Sequence, residues 1–344
     1  MSVSYGGDSI TFADGSVQSG GWTGMKNRII NGAMVIDQRN AGAAVTINTA
    51  SYTYTMDRWA ALGQATDGVY TIQRSTTAPA GFINSLLATV TTADTSIGVS
   101  QYYLFKHAFE GFNIADLGWG AAGAATVTLS FWVRSSLTGV FSGSITNGGY
   151  TRAYPFSYTI NAANTWEQKS ITIAGDTTGT WPTDNTNGMN LYLDLGSGSS
   201  NKGTANAWVG SGFVGVTGSV NLIGTNGATF YITGVQLERG STASSFEYRP
   251  YGTELQLCQR YYQTYPGVGQ GNKVLWSSYG ATYNYVIWSF KTTMRISPTV
   301  GGATMGTLET PSPDAVTAYA AGSNYAAYGY TGSAHGQATA TAEF

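Results

Sequence analysis

The chain has 344 residues, of which 10% are charged, with 16 Lys and Arg against 18 Asp and Glu and a net charge of −2, yet it carries 23 Tyr, 13 Phe and 9 Trp. Disordered chains lack such an aromatic load, and helical bundles need far more Glu, Lys and Arg on their exposed faces, so both classes are excluded. With no cationic surplus to neutralise phosphates, nucleic-acid binding is not expected. The remaining expectation is an all-β protein whose solvent faces are built from Ser, Thr, Asn, Gly and Tyr.

Residues 1–25 read as a small unit. ITFADGSVQS is strand, Asp14-Gly15 turn, strand, because Asp-Gly supplies the positive backbone angles of a tight hairpin. A lone hairpin is marginal in water, so this one is expected to pack on a partner as an attachment segment. It has no basic run followed by an apolar stretch, so no signal peptide is read there. No window reaches the ~18 apolar residues of a membrane span.

Residues 26–247 are a series of short runs with a period of two. VTLSFWVRS sets Val127, Leu129, Phe131 and Val133 on one face and Trp132 and Arg134 on the other. LYLDLG sets Leu191, Leu193 and Leu195 opposite Tyr192 and Asp194. Such alternation, punctuated by Gly, Asn and Thr clusters, predicts a β-sandwich or jelly roll. Residues 248–265 differ: Leu255, Leu257, Cys258, Tyr261 and Tyr262 fall roughly on one face of a short helix, expected as a connector. Residues 266–344 then form a smaller C-terminal β domain, in which YNYVIWSF is apolar on both faces, as in a strand buried on both sides. Cys258 is the single cysteine, so no intrachain disulfide is possible, which suits folding in a reducing cytoplasm.

The inventory for catalysis is thin. The two histidines, His107 and His335, lie far apart, no metal-ligand spacing or phosphate-binding loop is present, and no nucleophile elbow occurs. Asp57, Glu110, Asp116, Glu167 and Asp194 are scattered acids that a fold could gather for glycoside hydrolysis. TDNTNG around Asp184 is oxygen-rich but reads first as an Asx turn. Aromatic rings on polar strand faces are a different matter, since a flat ring stacks on a sugar while neighbouring polar groups bond its hydroxyls. Trp132 with Arg134 and Tyr192 with Asp194 are the candidate carbohydrate-binding residues, the competing reading being that loops or another subunit cover these faces. Trp119, Trp181 and Trp208 in Gly-rich loops are either used rings or plugs over the core edge. A cluster of Tyr319, Tyr325, Tyr328 and Tyr330 among Gly, Ala, Ser and Asn has the composition of an adaptable binding surface, a candidate receptor tip.

Taken together, NRIINGAMVIDQRN with YTMDRWAA, VTLSFWVRSS with NAANTWEQKSITI, and ATFYITGVQLERG with FEYRPYGTELQLCQRYYQ resemble bacteriophage tail-fibre and minor tail proteins that carry a carbohydrate-binding-module-like jelly roll. ITFADGSVQS and FKTTMRISPTV resemble the ends of the same family. The resemblance implies a homotrimeric virion protein of the tail, made in the host cytoplasm, attached to other tail or baseplate proteins through its N-terminus and contacting a host surface glycan without catalysis or membrane insertion. The alternatives are an architectural baseplate, collar or head-fibre component, or a polysaccharide depolymerase. Related jelly rolls often hold a structural calcium with an Asp pair in the last strand. Here those positions are Thr233 and Gly234, which puts the ion in doubt, with Asn31 and Gln236 as the oxygens that could still serve it. No other cofactor is implied.

Overall fold

The computed structural model describes residues 25–63, 67–265, 290–301 and 338–344, and the backbone of short strands outside these ranges. In chain order the strands are β1 Ser4–Gly6, β2 Ser9–Thr11, β3 Val17–Ser19, β4 Val45–Ile47, β5 Thr53–Met56, β6 Trp59–Gly63, β7 Val69–Ser75, β8 Ser85–Thr92, β9 Tyr102–Glu110, β10 Val127–Ser135, β11 Gly139–Asn147, β12 Ala153–Ile160, β13 Glu167–Ile173, β14 Asn187–Ser197, β15 Lys202–Gly203, β16 Gly215–Val216 and β17 Thr229–Arg239. Helix α1 spans Tyr251–Gln259, followed by β18 Tyr262–Tyr265, β19 Trp276–Tyr279, β20 Tyr283–Trp288, β21 Thr299–Gly301, β22 Leu308–Glu309, β23 Ala318–Gly322 and β24 Ala338–Thr341.

Near the N-terminus, β2 pairs antiparallel with β3 as expected, though the register of Thr11 with Val17 is centred on Asp14 and is not that of a two-residue Asp14-Gly15 turn, and β1 adds a third strand. The chain then builds two six-stranded sheets, β13-β10-β17-β8-β7-β4 and β12-β11-β14-β9-β6-β5. From β8 onward the chain enters the first sheet, the second, the first, the second twice, the first, the second and finally the first. Four strands of each sheet, in the orders β13-β10-β17-β8 and β12-β11-β14-β9, thereby form the eight-stranded double Greek key of a jelly roll. The expected fold class is present, and β7-β4 and β6-β5 extend the two sheets beyond that core.

The alternation read from the sequence explains the packing. Phe105 and Phe141 from the second sheet meet Phe230 from the first at 6.1 and 5.9 Å, and Phe131 meets Tyr158 edge-on at 5.0 Å. His107 is a packed core histidine, 5.1 Å from the Trp59 ring and 4.8 Å from Phe109. Fully burying side chains of this size stabilises a fold by about 1.5–3 kcal/mol each.

Compact units do not follow the linear order of the chain. The first contains Met1–Val35, Gly42–Thr55 and Trp59–Arg249; the second joins Ile36–Ala41 and Met56–Arg58 to Pro250–Phe344. Within the second unit, Arg39 and Arg58 stack on Tyr262 and Tyr261, each at 3.6 Å. Both guanidiniums also bind the buried Glu343 carboxylate, Arg39 at 2.9 Å. Asp57 accepts the Gln38 backbone N–H and side-chain amide at 2.7 Å each. Burial pushes Asp57 up to about 6, against the opposing pull of Arg39 and the Gln38 bonds. The IDQRN, MDR and CQRYY segments that carry the phage-tail resemblance thus meet in one buried network.

The connector differs from its sequence reading. The helix stops at Gln259, and Tyr261 and Tyr262 leave its face, because Tyr262–Tyr265 pairs antiparallel with Ala338–Thr341. Four residues of Tyr-Gln-Thr-Tyr favour a pleated strand once a partner is present.

Candidate functional site

The two candidate pairs do not share a surface. Phe131 and Val133 point into the sandwich, so Trp132 and Arg134 stand on the outer face of the first sheet, half-buried. Leu191 and Leu193 likewise turn inward, which sets Tyr192 and Asp194 on the outer face of the second sheet. These four residues therefore lie on opposite sides of the sandwich and cannot line one groove. Tyr192 and Asp194 are moreover 1% exposed each, which removes them as ligand contacts in this arrangement.

What covers them is the excursion between β14 and β17. Val209 exchanges two backbone hydrogen bonds with Ala153, and Val216 N–H donates to Ser142 Oγ at 3.2 Å. A Cβ on Gly215 would stand 2.1 Å from Asp194 Oδ2, so only glycine lets the excursion lie this close. Asp194 accepts the Gly196 N–H at 2.9 Å and the hydroxyls of Ser142 and Ser197 at 3.0 Å each. Burial raises its pKa, while Lys202 and these hydrogen bonds oppose the shift. At the margin of this face the buried Lys106 ammonium lies 4.3 Å from the Tyr52 ring centroid and 3.3 Å from Tyr150 Oη, and Tyr52 and Tyr192 hydroxyls are 3.3 Å apart. Burial works to raise the Tyr150 pKa, but Lys106 and the hydrogen bonds around the hydroxyl outweigh it, and the phenol ends below its ordinary value.

The first sheet's outer face is different. Register places Arg134 opposite Tyr231, Tyr231 opposite Leu87 and Leu87 opposite Gln73, one row running across four strands. Trp166, directly before β13, packs edge-on to Tyr231 at 6.0 Å, and the Arg134 guanidinium lies 4.9 Å from the Tyr231 ring. From Trp166 to Gln73 this row covers about 19 Å at the ~4.8 Å spacing of neighbouring strands. Parallel to it runs a line of hydroxyls, Thr229, Thr89, Thr71 and Thr46, whose side chains are half-buried or exposed. Trp132, with exposed Gln168 and buried Thr233 as cross-strand neighbours, borders the row on its other side. Beyond Thr233 the face is capped by Phe82, Phe246 and Tyr248, whose rings lie 4.9–5.4 Å apart. Gly234 permits that cap, having a φ of +60° and leaving no room for a Cβ beside the Phe82 ring.

Trp166 and Tyr231 were not singled out in the sequence. NTWEQKSITI places Trp166 before its strand, and FYITG shows Tyr231 alternating with Phe230 and Ile232, but only strand pairing shows that both rings flank Arg134. Trp119, Trp181 and Trp208 take the plug role. Their rings pack edge-on to one another at 4.7–5.6 Å, and each indole N–H donates to a backbone carbonyl. Tyr319 falls in β23, of which the backbone alone is described, and Tyr325, Tyr328 and Tyr330 lie outside the described residues, as does His335.

The acids are occupied locally. Asp116 binds Arg28, Glu167 binds Lys169, and Asp184 accepts the N–H and hydroxyl of Thr186 in its own turn. Among the described residues, no three His, Cys, Asp or Glu side chains gather as metal ligands. At the calcium position considered from the resemblance, the Gln236 side-chain carbonyl accepts the Glu247 N–H, its amide donates to Glu238, and the backbone carbonyl of Asn31 accepts the Trp59 indole N–H. Nearby carbonyls of Asn27 and Ile29 are taken by the Arg249 guanidinium. Oxygens already committed beside a fixed cation do not fit a calcium ion.

The sequence matches no protein-family profile and no curated protein. Among solved structures, the chain is similar to the enzymatically active domain of tailspike protein 4 of bacteriophage CBA120, at 11% identity and a TM-score of 0.33, over 62% of this chain and 21% of that one. It is also similar to TmCBM61 in complex with β-1,4-galactotriose, at 10% identity and a TM-score of 0.31, over 63% of this chain and all of that one. A third similarity is to the family 11 carbohydrate-binding module of Clostridium thermocellum in complex with a mixed-linked tetrasaccharide, at 10% identity and a TM-score of 0.29, over 56% and 91% of the two chains.

Proposed function

We propose that this chain is a bacteriophage tail-fibre or receptor-binding structural protein that holds the virion to its host by gripping surface glycans, without catalysis. The observation that carries the glycan reading is the row of Trp166, Arg134 and Tyr231, bordered by Trp132, on the outer face of the first sheet. Rings offer apolar faces to pyranose C–H groups, and the threonine line beside them offers hydroxyl partners at strand spacing. The tail-fibre part of the reading rests on the motifs NGAMVIDQRN and YGTELQLCQRYYQ, and it includes a homotrimer anchored by its N-terminal strands. Single glycan contacts of this kind are weak, and three copies per fibre raise avidity by about 10²–10⁴.

The test is a binding assay of the purified full chain against surface polysaccharides of candidate host cells, with polymer length read in the same tube. Binding with unchanged length is the expected result. Shortened polymer overturns the non-catalytic reading and redirects attention to the carboxylates. An assembled oligomer that binds no polymer overturns the attachment role in favour of an architectural virion part.

A further inference from the structure

Among the described residues of the sandwich, two arginines have no carboxylate partner: Arg74, which donates to the Val35 carbonyl at 3.2 Å, and Arg134, which belongs to the aromatic row. Arg28, Arg152 and Arg249 are each paired with a carboxylate. The guanidinium of Arg134 instead donates its Nε–H to the Asn164 carbonyl at 2.8 Å. Among the described residues its two terminal nitrogens have no hydrogen-bond partner, and no carboxylate lies within ion-pair distance. Its position is nonetheless fixed. Asn164 sits at φ +56°, and its N–H is bonded to the Ser135 carbonyl at 2.6 Å. Glu167 ties the same turn by accepting the N–H groups of Asn161 and Ala162. Tyr231 supports the guanidinium from one side at 4.9 Å.

We infer that the glycan bound on this face carries carboxylates, as a uronic acid does, and that Arg134 receives one of them beside the ring pair of Trp166 and Tyr231. The inference rests on the glycan-binding reading of the same face. A guanidinium held by its Nε presents its terminal N–H groups as a fork, which matches the two oxygens of one carboxylate. An unpaired cation beside the Trp166–Tyr231 ring pair selects a sugar chain with negative charge, since a neutral polymer leaves that charge without a counterpart. A carboxylate borne on the sugar ring leaves successive sugars directly linked, so the ring pair can hold a sugar while Arg134 holds its carboxylate. Phosphodiester links would push the sugars further apart than the strand spacing.

The experiment prints purified bacterial polysaccharides on an array: uronate-containing, neutral and phosphodiester-linked. The full chain is then applied in wild-type, Arg134→Gln and Arg134→Lys forms. The expected result is binding confined to the carboxylated polymers, falling at least tenfold when their carboxylates are reduced to alcohols. Arg134→Gln should lose as much on the native polymers and nothing more on the reduced ones, with an unchanged thermal midpoint. Arg134→Lys should fall between, because it keeps the charge and loses the fork. Equal binding to native and reduced polymer overturns the acidic-sugar inference while leaving the glycan reading intact. Preference for phosphodiester-linked polymers overturns it in favour of phosphate. Binding to no polymer overturns both.

Discussion

The outer faces of the two sheets began as the same kind of pattern and ended in opposite states. On the first sheet, Trp132 and Arg134 alternate with Phe131 and Val133, and the polar side of the strand stays half-exposed beside Tyr231. On the second, Tyr192 and Asp194 alternate with Leu191 and Leu193 in the same way, yet the polar side is sealed by the segment after β14. Alternation reports which residues leave the core, and the fate of the opposite face is decided by whatever chain later crosses it. A polar face that is covered must have its groups bonded, and Asp194 shows this with donors from Ser142, Gly196 and Ser197.

Several substitutions would break or sharpen that contrast. The largest effect is expected at Asp194→Ala. It leaves several buried donors without an acceptor and should cost about 2–4 kcal/mol in urea unfolding, with the glycan affinity of the folded molecule unchanged. If the glycan affinity of the still-folded variant fell as well, the two faces would not be functionally distinct. Trp166→Ala and Trp132→Ala should do the reverse, weakening polysaccharide binding about tenfold, or ~1.4 kcal/mol, while moving the unfolding free energy by less than about 1 kcal/mol. Calorimetric titration alongside thermal melting separates these outcomes.

A smaller effect should appear in the ultraviolet titration of tyrosine. Tyr150 should ionise below its ordinary value because of Lys106, so Tyr150→Phe removes an early component of the curve and Lys106→Met shifts that component to higher pH. The smallest effect is expected at Glu167, which supports the turn that holds Arg134. Slight burial works against its ionisation, but Lys169 and the N–H groups of Ala162 and Asn161 lower it from 4.5 to about 2. A depressed folded value means that its contribution is complete above pH 4.5 and is lost as pH falls toward 2. Glu167→Gln should therefore lower the melting midpoint slightly at neutral pH, where that contribution is complete, and should flatten the decline of the midpoint between those limits.

The carbohydrate candidates were half legible. Trp132 and Arg134 could be placed on an outward strand face because the alternation around Phe131 is regular. Trp166 and Tyr231 could not be joined to them, since they lie more than thirty and about a hundred residues further along the chain, and only register brings them into line. Tyr192 and Asp194 misled for a related reason: nothing in LYLDLG itself announces the glycine-rich cover. The IDQRN, MDR and CQRYY motifs were conspicuous for their residues but silent about their role, which proves to be stacking of Arg39 and Arg58 on Tyr262 and Tyr261.

By itself the sequence determined the all-β class, the inward rows of Val, Leu and Phe, the N-terminal hairpin pairing and the lack of a disulfide. Those follow from side-chain period, turn chemistry and cysteine count, all of them local. Tertiary structure decided the strand order that makes a jelly roll, which polar face remains open, where Arg134 finds its aromatic neighbours, and how two short segments near the start of the chain join its far end. Each of these depends on contacts between residues far apart in sequence, whose free energy exists only once the chain has closed around them.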